Sequence, residues 1–112
     1  MPDPAIPRPG LPVRGSTTGR PLMAALDLLG QRWTLRVVWE LREDSVGFRE
    51  LQRRCERMSS SVLSTRLGEL GQAGIVHAEE GRYRLTPLGK DLIRALRPLQ
   101  SWATQWEETL RT

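Results

Sequence analysis

Covalent and metal chemistry have few side chains to draw on in this chain. It holds one histidine, His77, and one cysteine, Cys55. A single thiol forms no intramolecular disulfide, and one cysteine with one histidine does not close a metal site. A serine nucleophile needs a positioned base, and His77 lies in a short strand-like stretch away from any pocket the sequence suggests. No enzymatic activity, cofactor or metal is expected. Cys55 reads as a small buried apolar group and His77 as a surface or edge residue.

Hydroxyl and guanidinium groups are better placed for chemistry. Ser59, Ser60, Ser61, Ser64 and Thr65 fall within seven consecutive positions. Around them, segment 47–66 carries Arg49, Arg53, Arg54, Arg57 and Arg66 against Glu50 and Glu56. Further on, Arg82 and Arg84 flank Tyr83. Hydroxyls on a helix can donate to or accept from base edges in a major groove about 12 Å wide. Arginines suit phosphates, which give affinity and register while base contacts give specificity. The chain has 17 basic and 13 acidic residues, a formal charge of +4, which weakly favours a polyanionic partner. Lys90 is the sole lysine.

The elements that must position these groups follow from periodicity. At 112 residues the chain has room for one domain with one core. Residues 1–20 hold Pro2, Pro4, Pro7, Pro9 and Pro12 with Gly10, Gly15 and Gly19 and few large apolar groups. They read as a disordered, mildly basic arm, a passive tail rather than a DNA contact. The domain proper is expected over 21–112. Leu22, Ala25, Leu26 and Leu29 recur at helical spacing, with Pro21 suited to the first turn and Gly30 to the stop. A second helix is expected from Trp33 to Arg42, with Trp33, Val37 and Leu41 as one stripe and Leu35, Val38 and Trp39 as another, which places it centrally.

A short third helix spans Gly47 to Cys55, and Ser59 caps a fourth over Ser60 to Gln72, with Leu63, Leu67 and Leu70 inward and Gly74 at its end. Opposite the leucines lie Ser60, Ser61, Ser64, Thr65 and Gly68, all small. Ile75–Ala78 and Arg82–Leu85 are strand candidates joined by Glu80-Gly81. Alternation puts Arg82 and Arg84 on one side and Tyr83 on the other. Thr86-Pro87 restarts a helix that runs close to the C-terminus, bent at Pro98.

Helices, a helix pair and a β-hairpin in this order describe a winged helix-turn-helix, mainly α with a small wing. The hairpin can lie along a minor groove. The final helix carries Leu99, Trp102, Ala103, Trp106 and Leu110, more apolar surface than a monomer of this size covers, so a homodimer is expected. No apolar run is long enough to span a membrane, and prolines interrupt every candidate signal stretch, so a cytoplasmic location is expected.

Four stretches resemble the HxlR family of winged-helix regulators over about Pro21 to Trp106. They are Ala25-Leu26-Asp27-Leu28-Leu29-Gly30 with Trp33-Thr34 and Leu41; Phe48-Arg49-Glu50-Leu51; Met58-Ser59 with Val62-Leu63, Arg66-Leu67 and Glu69-Leu70; and Leu85-Thr86-Pro87-Leu88-Gly89. The resemblance implies a bacterial, cytoplasmic transcriptional regulator, a repressor by expectation, without enzymatic activity. Its partners would be a double-stranded DNA operator and a second copy of itself. Dimerisation would run through the first and last helices, at Leu22, Leu26, Leu99, Trp102, Trp106 and Leu110. By position Ser60, Ser61, Ser64 and Thr65 would face the major groove, and Arg66 would either brace the helix or meet phosphate. Some members sense electrophiles or oxidants through a cysteine just before the first helix. Arg20 holds that place here, so redox sensing is not among what the resemblance implies. The wing is shorter than is usual in the family, and Gly47 stands where an arginine commonly precedes the phenylalanine. A small-molecule effector is left unnamed. Two other readings stand beside this one: a MarR- or ArsR-like regulator with a different effector, and a winged helix used only for protein–protein assembly. Salt-dependent binding to duplex DNA separates the last from the rest.

Overall fold

The computed structural model describes residues 6–13 and 19–111. Among these residues five helices and three short strands follow one another: α1 (Pro21–Leu29), α2 (Thr34–Glu40), β1 (Val46–Gly47), α3 (Phe48–Arg54), α4 (Ser60–Gln72), β2 (Val76–Glu79), β3 (Arg82–Leu85) and α5 (Pro87–Arg111). The winged helix-turn-helix expected from the sequence is present. The core gathers Val37, Val38 and Leu41 from α2 and its end, Leu51 and Cys55 from α3 and its end, and Leu63, Leu67 and Leu70 from α4. Ile75, Val76, Leu85 and Ile93 close it from the wing and α5.

Local chemistry explains most boundaries. Pro21 opens α1, and the Gly30 N–H donates to the Leu26 carbonyl at its end. The inward residues of α1 are Ala24 and Leu28, while Leu22 and Leu26 face out. α2 is shorter than the expected Trp33–Arg42. It starts at Thr34 because Trp33 has φ 76°, a left-handed conformation in which an indole-bearing residue is strained. Its central place is as expected, with Thr34, Val37 and Val38 buried. α4 has the expected bounds, and the Ser59 hydroxyl caps it by accepting from the Val62 N–H at 3.2 Å.

The wing differs from the two-stranded hairpin expected. β1 pairs antiparallel with β3, through Val46↔Tyr83 and Gly47↔Arg82, to give a three-stranded sheet of order β1-β3-β2. Two residues carry no periodicity, so this strand leaves no pattern in the sequence. β2 lies one residue later than expected, at Val76–Glu79. Glu80 and Gly81 have φ 52° and 77°, the paired positive values of the tight hairpin turn the sequence suggested.

Thr86 joins the wing to α5. Its hydroxyl accepts from the Gly89 N–H at 3.1 Å and donates to the Gly74 carbonyl at 2.5 Å. Gly89 itself is buried, and a Cβ there would collide with the Ile75 carbonyl oxygen. The Leu85-Thr86-Pro87-Leu88-Gly89 stretch is therefore one device: a core anchor, a cap, and a close crossing of helix over strand. Pro98 lies inside α5, as expected. Every residue of α5 from 97 to 111 is exposed.

The arm expected over 1–20 falls partly outside the described residues, at 1–5 and at 14–18, where Arg14 and Gly15 lie. Within 6–13, Ile6 is buried, and the Gly10 N–H donates to the Gly19 carbonyl at 2.7 Å.

Candidate nucleic-acid interface

α3, the turn that follows and α4 form the helix pair, and the turn is held from both sides. Cys55 and Met58 point into the core. Glu56 and Arg57, at φ 57° and 60°, reverse the chain without a glycine. The Arg57 N–H closes on the Gln52 carbonyl at 2.8 Å, and the Gln52 amide donates to the Met58 carbonyl at 2.9 Å. α2 clamps the same turn. Arg36 donates to the Arg54 carbonyl at 2.8 Å and pairs with Glu40, also at 2.8 Å, which raises its pKa. Arg54 reaches the Glu40 carbonyl and the Asp44 carboxylate, each at 3.1 Å, and the Asp44 hydrogen bond raises its pKa too. Arg36 and Asp44 escaped the sequence reading; only contacts across the fold reveal them.

On α4 the three leucines are buried and the opposite face is exposed along Ser60, Ser61, Ser64, Thr65 and Gly68. A Cβ added at Gly68 would meet nothing within 4 Å. No internal packing therefore requires that glycine, although glycine weakens a helix interior by about 0.5–1 kcal/mol relative to alanine. Ser59 sits at the start of this face with its oxygen engaged in the cap.

The arginines divide into free and bound. Arg49 is exposed, with no ion-pair partner among the described residues. Arg53 is exposed and pairs with Glu50 one turn before it, a contact that solvent screens. Arg66 is not free: it donates to the Arg32 carbonyl at 2.8 Å and to Glu69 at 2.5 Å, with its side chain only 18% exposed. Of the two roles open for Arg66, this geometry matches the brace, tying α4 to the loop before α2.

On the wing, Arg82 and Arg84 share the exposed side of β3, and Tyr83 turns in toward Phe48, their rings 6.4 Å apart. Arg82 is drawn back onto the loop before β1, donating to the Ser45 carbonyl at 2.6 Å and the Ser45 hydroxyl at 3.1 Å. Arg84 stays exposed, 3.8 Å from Glu79. His77 is exposed on β2, 3.6 Å from the same carboxylate. Ser45, like Arg36 and Asp44, carried no signal in the sequence.

Cys55 is fully buried, and burial, reinforced by the charge of Glu40, pushes its thiol up to about 11. Such a thiol is protonated and poorly nucleophilic at neutral pH. Among the described residues no group of three or more His, Cys, Asp or Glu side chains could hold a metal ion, and no helix is long and apolar enough to cross a membrane.

The dimer candidates form an outward surface. Leu22 and Leu26 project from α1, and Leu99, Trp102, Trp106 and Leu110 from α5, each at least half exposed. The Trp102 and Trp106 rings stack on one another, 5.6 Å apart and 16° from parallel.

Comparison with known proteins agrees with this geometry. A family model described as HxlR-like helix-turn-helix matches residues 28–111. The chain is 35% identical over 89 residues to the uncharacterised HTH-type transcriptional regulator YvaP of Bacillus subtilis, covering 73% of this chain and 82% of YvaP. Among solved structures it is similar to quinone-bound YodB from B. subtilis, with TM-score 0.72 and 32% identity over 75% of this chain and 96% of that one. A transcriptional regulator assigned to the MarR family from Enterococcus faecalis superposes equally well, with TM-score 0.72 and 29% identity over 81% of this chain and 90% of that one.

Proposed function

The chain belongs to the HxlR-like helix-turn-helix family, whose members are transcriptional regulators rather than enzymes, and from that premise we infer that it is a cytoplasmic repressor which reads a duplex operator as a homodimer. The observation that carries the reading is the two-faced α4. Three leucines lock one side into the core, and the first turns of the other present hydroxyls and Gly68. A helix this smooth enters the major groove without steric conflict and brings hydroxyls to base edges. Ser60, Ser61, Ser64 and Thr65 are the reading residues. Arg49 and Arg53 on α3 and Arg84 on the wing hold phosphates. Arg82 acts first on the Ser45 loop and Arg66 first as a brace.

The dimer reading rests on α5. This helix is about 37 Å long at 1.5 Å per residue, and its last 15 residues are all exposed. A helical segment of that length standing alone is marginal in water. Its apolar stripe is uncovered, as are Leu22 and Leu26 of α1. A second copy covers both.

Binding to operator and random duplexes across a salt series tests the assignment. Removing one phosphate-binding side chain lowers the log–log salt slope by roughly 0.9. Arg53→Ala should weaken both duplexes alike and flatten the slope. Ser64→Ala and Thr65→Ala should narrow the gap between operator and random DNA at an unchanged slope. Full discrimination in the hydroxyl variants would remove α4 as the reader and shift sequence choice to the wing or to DNA shape.

A further inference from the structure

Between the segment 6–9, α1, the end of α4 and α5 the structure holds a partly open apolar pocket of about 480 Å³. Ala24 and Leu28 of α1 line one side, Ala73 at the end of α4 and Ile75 a second, and Leu92 of α5 a third. The roof is the segment 6–9, led by Ile6, which is 6% exposed. This roof is anchored. Gly10 and Gly19 both have positive φ, and their backbones approach so closely that a Cβ on Gly19 would meet the Gly10 carbonyl carbon at 2.8 Å. The hydrogen bond between them fixes where the roof segment turns away and the chain returns to enter α1.

The pocket is partly open to solvent, so it is not an interior void left by imperfect packing. Its volume falls instead within the range of small-molecule sites, about 300–1,000 Å³. The polar side chains on its lining are Arg8, Gln72 and Asp91, all exposed at the rim, and Asp91 is paired with Arg94 at 2.6 Å. A charge carried past this rim would lose hydration among mainly apolar side chains.

We propose that this cavity is an effector site for a small, uncharged, apolar molecule, aromatic or branched, and that occupancy changes DNA affinity. The second half rests on the function proposed above. The cavity joins α1 and α5, the two dimer helices, to Ala73, the C-cap of the reading helix α4. A ligand wedged between them sets the angle of α4 relative to the dimer, hence the fit of two copies to their half-sites. Any such effect is reciprocal, so operator DNA alters ligand affinity by the same factor.

The uncharged dye N-phenyl-1-naphthylamine, which brightens in apolar surroundings, tests the site in the intact chain without DNA. Saturable binding of one dye per chain is expected. Ala73→Phe fills the cavity and Ile6→Ser strips its roof. Each should weaken the dye at least about tenfold, a loss of roughly 1.4 kcal/mol, with a cooperative melt retained. Should Ala73→Phe fail to fold, Ile6→Ser decides alone. No saturation, or dye binding equal to wild type in the folded variants, overturns the site and places the dye on the exposed α5 face. In a second arm the dye should shift the DNA affinity of the wild type and not that of Ala73→Phe. Saturable dye binding with an unshifted DNA affinity overturns the regulatory role. Because the first arm contains no DNA, a protein that fails to bind any duplex refutes the proposed function and leaves the cavity's own result readable.

Discussion

Thr34 is 1% exposed, and its buried hydroxyl finds no hydrogen-bond partner among the described residues. An unsatisfied buried polar group of this kind costs about 1–3 kcal/mol. Thr34→Val keeps the shape and removes the hydroxyl, so it should stabilise the fold by about 1 kcal/mol. For a domain of this size that raises the melting temperature by roughly 4–8 °C; a lower value in calorimetry would show that the hydroxyl is satisfied after all. Cys55 makes the opposite kind of statement, through pH. Its thiol titrates near 11 in the folded chain, above its value of about 8.5 when unfolded. The unfolded chain therefore loses this proton first, and folding stability falls as pH rises from about 8.5 to 11. Cys55→Ala should remove that part of the decline in denaturant midpoints measured across this window. Equal slopes in both proteins would mean that the thiol is not held protonated.

At the scale of elements, α4 sets stability against function at one position. Gly68→Ala adds a methyl that meets nothing in the fold and removes the flexibility of a mid-helix glycine. It should stabilise the chain by about 0.5–1 kcal/mol yet weaken operator binding, since the methyl stands on the face assigned to the groove. Melting curves and operator titrations on one variant check both halves, and undiminished DNA affinity would show that the groove lies elsewhere. Gly89 is the contrasting case, because its missing Cβ is demanded from within by the Ile75 carbonyl. Two glycines on two helices thus have unrelated reasons, and only the surrounding structure tells them apart. The same division holds for arginine: Arg49 faces solvent, whereas Arg36, Arg54 and Arg66 stitch α2, α3 and α4 together.

For the whole molecule the question is how α5 is completed. Seven large apolar side chains on α1 and α5 stand at least half exposed, the two tryptophans at 54% each. Burying apolar surface is worth about 25 cal/mol per Å², so covering such a set contributes several kcal/mol. A dimeric mass is expected for the intact chain at micromolar concentration, with a melting temperature that rises with concentration. Truncation before Pro98 should give a monomer or an aggregate. A monomeric mass for the intact chain in sedimentation equilibrium would refute the dimer.

What the sequence determined by itself was the set of features carried by local spacing. α4 was legible to the residue because a serine cap, three leucines at helical spacing and a closing glycine all lie within one short stretch. The hairpin was legible through Glu80-Gly81, and the family through four motifs that each do a packing job here. The tertiary structure decided whatever depends on contacts between distant segments. β1 exists only because β3 lies beside it. Trp33 ends up outside α2 because the chain reverses there at positive φ. Arg82 reads as a free cation until Ser45 comes within reach, and the choice between brace and phosphate ligand for Arg66 stays open until the Arg32 carbonyl does. The cavity under Ile6 is assembled from four segments, so no window of the sequence contains it. Periodicity reports which face of an element is buried; which groups then meet across the fold is settled by how the elements pack.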